Sequence, residues 1–267
     1  LAEKHIPQWD ESRIVWLGYA AAALGVLFLL LWIRVAGLKR RIHGLREESA
    51  SLGGTLENAR EIEIEELDDA EQEAEALRQT EITQPAMLTV GYISWLIWQH
   101  KGGQSPSFMA GHSLGEYTAL VAAGVMTLSD AVQLVAKRGR FMQEAVPAGT
   151  GAMAAILGLD DDAVRSVCKQ GAKGLVAAPV NFNSPGQVVV AGNSEAIARV
   201  IDLAKAAGAK RALMLDVSVP SHCALMRPAA ERLAGELAGV EFAPTQVPVL
   251  HNVDVSEAAD AASIRRQ

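Results

Sequence analysis

The chain has 267 residues, half of them hydrophobic and 21% charged, with a net charge of −7. That is enough apolar material for one sizeable globular core plus an additional segment. No basic stripe interleaved with aromatics runs through the globular part, which excludes a nucleic-acid-binding surface. The two cysteines, Cys168 and Cys223, have no metal-like spacing, so neither disulfides nor a zinc site is indicated, and a reducing compartment is expected.

In chain order, the first feature is Ile14 to Ile33, a run of 20 uncharged, mostly apolar residues between Arg13 and Arg34. At a rise of about 1.5 Å per residue such a run crosses a hydrocarbon layer about 30 Å thick. Trp16, Tyr19 and Trp32 stand near its ends, where aromatic belts form. Arg34, Lys39, Arg40, Arg41 and Arg46 outweigh Lys4 and Arg13, so the positive-inside rule places the remainder of the chain in the cytoplasm. Residues 1–38 are thus expected to be a single transmembrane segment, too long and too weakly basic at its start for a signal peptide. Residues 39–76 read as a charged helical linker. Leu38, Ile42, Leu45, Leu52 and Leu56 fall at heptad-like spacing, but Gly53 and Gly54 interrupt it, favouring a solvated helix over a coiled coil. Between Glu57 and Glu75 stand ten carboxylates and one arginine, an exposed face or tether.

From residue 77 to 267 the texture is that of an α/β enzyme. Thr83 and Pro85 open a helix over Ala86–Gln99, ended by Gly102-Gly103. Ser107 to Ala110 is a short buried strand and Glu116 to Ala123 a helix, with Gly111-His112-Ser113-Leu114-Gly115 turning between them. A further helix is expected over Leu128–Ala145. Then come a strand at Ala152–Leu159, a helix at Asp160–Lys169, and strands at Leu175–Phe182 and Gln187–Ala191 around the turn Asn183-Ser184-Pro185-Gly186. A helix at Ser194–Ala207 and a strand at Ala212–Val217 complete a βαββαβ order, the ferredoxin-like unit, over about 150–219. A helix over Ala224–Leu237 and a strand at Val247–His251 follow. The expected fold is therefore α/β: an α/β-hydrolase-like parallel-sheet domain with an inserted ferredoxin-like subdomain.

The strand–turn–helix around Ser113 has the form of a nucleophile elbow. Glycines on both sides allow a strained backbone and close helix–strand packing, lifting the hydroxyl and aiming the next N–H groups at its target. A serine nucleophile needs a base. Of the six histidines, His5 and His43 flank the apolar run, His100 ends a helix, His112 is too close to Ser113 to align, and His251 ends a strand. His222, in Val219-Pro220-Ser221-His222-Cys223 after the last subdomain strand, remains as the base. No aspartate among Asp130, Asp160, Asp202, Asp216 and Asp254 sits in a suitable loop before it, so a dyad is favoured over a triad. Arg138 lies within the helix Leu128–Ala145. Its guanidinium would grip a carboxylate two-pronged if it faced the cleft, although its spacing alone reads as a surface arginine.

These segments together resemble the malonyl-CoA:acyl carrier protein transacylases of bacterial fatty acid synthesis. The resemblance is carried by TEITQPAMLT, GHSLGEYTALVAAGVM, RGRFMQEAVPAGTGAMAAILGL, PVNFNSPGQVVVAG, AGAKRALMLDVSVPSHCALM and VPVLHNVDVSEA, and covers Leu77 to Arg266. It implies that Ser113 takes malonyl from the coenzyme A thioester and that His222 serves as base and then acid. It further implies a substrate-binding set of Arg138, pairing the malonyl carboxylate, Leu114, whose N–H is an oxyanion donor, Gln84 and His112. The residues before His222 resemble those of malonyl-selective members. Acyl carrier protein is the implied partner, its phosphopantetheine thiol attacking acyl-Ser113, and no metal or redox cofactor is implied. Against the family pattern, this sequence shows no glutamine-containing Gly-Gln-Gly-Ser loop ahead of residue 77 and stops at Gln267, before the family's Gly-Pro-Gly turn. Two other readings stand beside this one: a membrane-anchored carrier-protein-binding homologue without turnover, and a serine esterase.

Overall fold

A computed structural model describes Leu77 and residues 79–217, 219–257 and 260–265. The predicted span Ile14–Ile33 and the linker 39–76 lie outside the described residues; among those described, no helix is long and apolar enough to cross a membrane. The architecture is α/β, with a two-stranded parallel sheet and a four-stranded antiparallel one. The described chain divides into two compact units, one drawn from Pro85–Val132 and Glu241–Gln267, the other from Arg78–Gln84 and Gln133–Val240.

In chain order the elements are α1 (Thr80–His100), β1 (Met109–Ala110), α2 (Leu114–Ala122), α3 (Leu128–Ala145), β2 (Gly151–Leu157), α4 (Asp161–Ala172), β3 (Ala177–Ser184), β4 (Gln187–Asn193), α5 (Ser194–Ala206), β5 (Arg211–Met214), a 3-10 turn (Ala224–Met226), α6 (Arg227–Ala238), β6 (Val249–Leu250) and α7 (Ala261–Arg265).

The first unit is organised by β1 and β6, which pair in parallel with Met109 opposite Val249 and Ala110 opposite Leu250. Both strands are shorter than expected, two residues each in place of Ser107–Ala110 and Val247–His251. β6 is the one described neighbour of β1, so the ladder extends only as far as those two residues match. α1 begins at Thr80, three residues ahead of the start expected at Thr83 and Pro85, and carries Pro85 inside it. Its C-terminus is closed by two glycines: Gly103 N–H donates to Trp98 O and Gly102 N–H to Gln99 O, with Gly102 at φ 75. That paired pattern is the glycine-dependent helix stop. α2 starts at Leu114 rather than Glu116, directly after the serine.

The second unit is built on the antiparallel sheet, in the spatial order β3-β4-β2-β5. Alternation along the strands divides their side chains between the two faces. Ala154 and Ile156 of β2 and Val188 and Val190 of β4 pack with Val164 and Val167 of α4 and Ile197, Val200 and Ile201 of α5. Met153, Val189 and Ala191, at neighbouring positions that face the other way, cluster instead with Cys223. α4 opens on the Asp160 carboxylate, which accepts from Ala163 N–H at 2.7 Å, a cap worth about 1 kcal/mol. α4 continues past the expected Lys169 to Ala172, because Arg199 of α5 donates to the last carbonyls, Gly171 O at 2.8 Å and Ala172 O at 3.1 Å. The strand expected at Ala212–Val217 is confined to Arg211–Met214, and the helix expected from Ala224 opens with a 3-10 turn before α6 begins at Arg227. Tertiary packing sets these ends, where local propensity does not.

Candidate active site

Ser113 sits between β1 and α2 at φ 54, ψ −112, a backbone state that a side-chain-bearing residue adopts at a cost of about 1–3 kcal/mol. Gly111 makes the turn possible. A Cβ there would lie 1.9 Å from the Gly115 carbonyl carbon and 2.2 Å from Glu116 N, so only a residue without a side chain lets β1 approach the first turn of α2. Gly115, the other flanking glycine, has open space around its would-be Cβ. It serves the surface rather than the packing: with Gly111, Trp95, Met109, Thr118 and Ala119 it lines an apolar cleft beside the turn.

The N–H groups around the serine have distinct fates. Ser113 N–H donates to Asn252 Oδ1 at 2.9 Å. Gly115 N–H and Glu116 N–H turn back to His112 O and Ser113 O. Among the described residues, Leu114 N–H has no hydrogen-bond partner, as befits one of the orphan donors at a helix start. His112 is exposed at the apex.

Three side chains missed by the sequence reading converge on this turn. The Glu116 carboxylate accepts from His251 Nδ1 on Oε1 at 2.7 Å and from Asn252 N–H on Oε2 at 2.8 Å. His251, set aside as the end of a strand, is fully buried. A signal for them exists in the topology: loops following adjacent parallel strands emerge at the same sheet edge. The register of β1 with β6 therefore places 251–252 beside 111–113.

The other predicted residues lie on the second unit. His222 is exposed and also has positive φ, 62°. Its loop is tightly seated. Val219 and Met226 pack with Phe141 and Met142 of α3 and with Val146 just after it, while Cys223 turns the other way onto the sheet and its Sγ donates to Pro220 O at 3.2 Å. Burial pushes the Cys223 thiol above its ordinary pKa, making it a packing residue rather than a nucleophile. Pro220 occupies the place a side chain at Gly151 would take, its ring 2.4 Å from that Cβ position. Gly151→Ala is therefore expected to lower stability by about 1–3 kcal/mol in urea denaturation through overpacking; an unchanged midpoint would show that Pro220 does not brace the loop.

Arg138 is not a free-standing surface side chain. Its Nη1 donates to Gln84 Oε1 at 2.6 Å, and Gln84 is itself 4% exposed, with Nε2 on Thr80 Oγ1 at 2.9 Å and against Met142 Sδ at 3.4 Å. A guanidinium oriented by a buried amide keeps its remaining donors aimed in one direction. Arg138 and Gln84 are thus brought together, as are His112, Ser113 and Leu114, while the two groups belong to different units. Among the described residues, no set of three His, Cys, Asp or Glu side chains is placed to hold a metal ion.

The sequence pattern of the family described as "Acyl transferase domain" matches residues 51–264, beginning inside the stretch read as a linker. The malonyl CoA-acyl carrier protein transacylase of Salmonella typhimurium is 60% identical over 192 residues, covering 72% of this chain and 62% of that protein. That of Staphylococcus aureus is 36% identical over 230 residues, covering 86% and 73%. Among solved structures, a malonyl-transacylase in complex with its type II PKS acyl-carrier protein superposes with a TM-score of 0.70 at 57% identity, covering 72% of this chain and 62% of that one. The malonyl CoA-acyl carrier protein transacylase of Coxiella burnetii gives 0.71 at 51% identity, with 72% and 61% covered. The chain thus spans about three-fifths of the length of the Salmonella relative. The chain belongs to the acyl transferase domain family, among its malonyl CoA-acyl carrier protein transacylases.

Proposed function

We propose that this chain moves a malonyl group from the coenzyme A thioester to the phosphopantetheine thiol of acyl carrier protein, through an ester on Ser113. The observation that carries the proposal is the strained serine at the β1–α2 turn with an adjacent unspent N–H. Ser113 Oγ adds to the thioester carbonyl as His222 takes its proton, and Leu114 N–H receives the developing oxyanion. Collapse breaks the C–S bond, and the coenzyme A thiolate leaves with the proton from His222. The carrier-protein thiol then reverses the sequence. Arg138, oriented by Gln84, pairs with the free malonyl carboxylate, and His112 lies at the mouth of the turn. The names of the relatives, and the solved complex of one of them with its carrier protein, support the choice of substrate and partner.

In this reading residues 77–267 are the acyltransferase domain. Its four-stranded unit, with the order β3-β4-β2-β5, is the ferredoxin-like insertion in an α/β-hydrolase-like frame. Hydropathy and flanking charge support Ile14–Ile33 as an anchor holding the domain on the cytoplasmic side. Incubating the protein with malonyl-CoA, digesting it and weighing the peptides tests the proposal: a malonyl adduct on Ser113 is expected, released when carrier protein bearing phosphopantetheine is added. An unmodified Ser113 peptide would overturn it.

A further inference from the structure

We infer that Asn252, held by Glu116 and His251, is the positioning residue for the nucleophile: it keeps Ser113 in its strained backbone state and leaves Leu114 N–H as the donor for substrate. The inference deepens the acyl-transfer reading and rests on it for the identity of the reaction.

A residue at φ 54, ψ −112 relaxes unless its surroundings hold it. The close approach at Gly111 fixes the space available to the turn but supplies no polar restraint. Asn252 supplies one, since its Oδ1 accepts from the Ser113 N–H itself. An asparagine on a loop is a useful anchor only if its own backbone is fixed, and here it is. Asn252 N–H and the neighbouring His251 Nδ1 each take one oxygen of the same carboxylate. Glu116 belongs to the first turn of α2, three residues beyond the serine. The chain of contacts therefore starts on α2, crosses to the loop after β6 and returns to the N–H immediately ahead of α2. It closes a ring around the nucleophile.

Two features argue that the ring serves the turn rather than general stability. His251 is completely buried, and among the described residues its Nε2 has no hydrogen-bond partner. A histidine in that position carries an unsatisfied polar atom that an apolar residue would avoid; what it supplies in return is the Nδ1 donor on Glu116. The second feature is the division of donors. With Ser113 N–H held by Asn252, the turn presents the following amide, that of Leu114, one peptide further into the helix start, where the helix dipole reinforces an N–H facing developing negative charge.

The test compares Asn252→Ala and Asn252→Asp with the unmodified protein, using single-turnover malonylation of Ser113 followed by mass spectrometry. Asn252→Ala frees the Ser113 N–H. It is expected to slow acylation about 100-fold, as a displacement of about 1 Å of a reacting group does, with the malonyl-CoA concentration at half-saturation unchanged. Asn252→Asp keeps an acceptor oxygen in place and is expected to recover the rate to within about tenfold of the unmodified protein. A fluorophosphonate, which phosphonylates the serine with loss of fluoride and needs no malonyl recognition, should slow in the same proportion in Asn252→Ala. Unimpaired acylation of Asn252→Ala, a loss confined to half-saturation, or an Asn252→Asp variant as slow as the alanine would overturn the inference. So would an unmodified protein inert to the fluorophosphonate. Phosphonylation of Ser113 without malonylation would sink the malonyl reading alone, and the phosphonylation ratio of the variants would then decide the role of Asn252.

Discussion

Replacing Arg138 with alanine is expected to lower malonyl transfer by about 10²–10³-fold while leaving acetyl transfer within about threefold. Removing one partner of a hydrogen-bonded charge pair shielded from solvent costs about 2–5 kcal/mol, and acetyl has no carboxylate to lose. The structure also identifies a complication. Gln84 Oε1 accepts from Arg138 Nη1, and Gln84 is buried, so the truncation strands an acceptor and should cost about 1–3 kcal/mol of stability as well. Stability loss lowers both reactions together. The malonyl-to-acetyl ratio is therefore the informative quantity, read from acyl-Ser113 formation with each coenzyme A thioester. Arg138→Lys should recover little of that ratio, because an ammonium cannot present two parallel donors. Equal losses for malonyl and acetyl would remove Arg138 from carboxylate recognition and leave it a structural partner of Gln84.

That pair also illustrates what local sequence can and cannot carry. Arg138 by spacing alone resembles any arginine on an amphipathic helix. Its contact depends on the turn Thr80–Gln84 being helical, most of which a start at Thr83 and Pro85 leaves out. The early turn exists because Gly139 lacks a side chain: a Cβ there would fall 2.5 Å from Glu81 Cα, so α3 accepts the start of α1 at close range. That is a tertiary effect with no local signature. The opposite holds for the turn at Pro185-Gly186, which joins β3 to β4 as expected, with Gly186 at φ 76. Proline presets one dihedral and glycine admits the other. α3 likewise runs over the expected Leu128–Ala145, opened by Thr127 and Asp130 bonding reciprocally, in the manner of a capping box.

The nucleophile turn divides along the same line. Gly-His-Ser-Leu-Gly is readable because its geometry is encoded in five adjacent residues. Asn252 is not readable, because its bond to Ser113 joins positions 139 residues apart. The connection passes through β1 and β6, which fall inside the expected strands Ser107–Ala110 and Val247–His251, but strands this short carry no local signal of which strand pairs with which, or in what register. The aspartate search for a third catalytic member fails for a related reason. The carboxylate that matters at this turn is Glu116, which bonds to His251 and the Asn252 backbone and so acts on the serine's backbone rather than on the base.

Gly111→Ala is expected to destabilise the protein by more than about 4 kcal/mol, a large part of the 5–15 kcal/mol that ordinarily separates folded from unfolded chains. The atoms a methyl group would meet are Gly115 C at 1.9 Å, Gly115 O at 2.1 Å and Glu116 N at 2.2 Å. All are backbone, so no side chain can swing aside, and β1 or α2 must move by more than an ångström. Either shift breaks the bonds from Glu116 to His251 and Asn252 and that from Ser113 N–H to Asn252, so the strain and the loss of the ring add. Gly115→Ala is the natural control. Its Cβ meets nothing within 4 Å, and alanine in place of glycine in a helix favours the fold by up to about 1 kcal/mol. That variant should be at least as stable as the parent in urea, while its methyl group narrows the cleft beside Ser113 and slows acylation. If Gly111→Ala unfolded within 1 kcal/mol of the parent, the serine would not be held by close approach of strand and helix, and its strained state would have to come from the Asn252 contact alone.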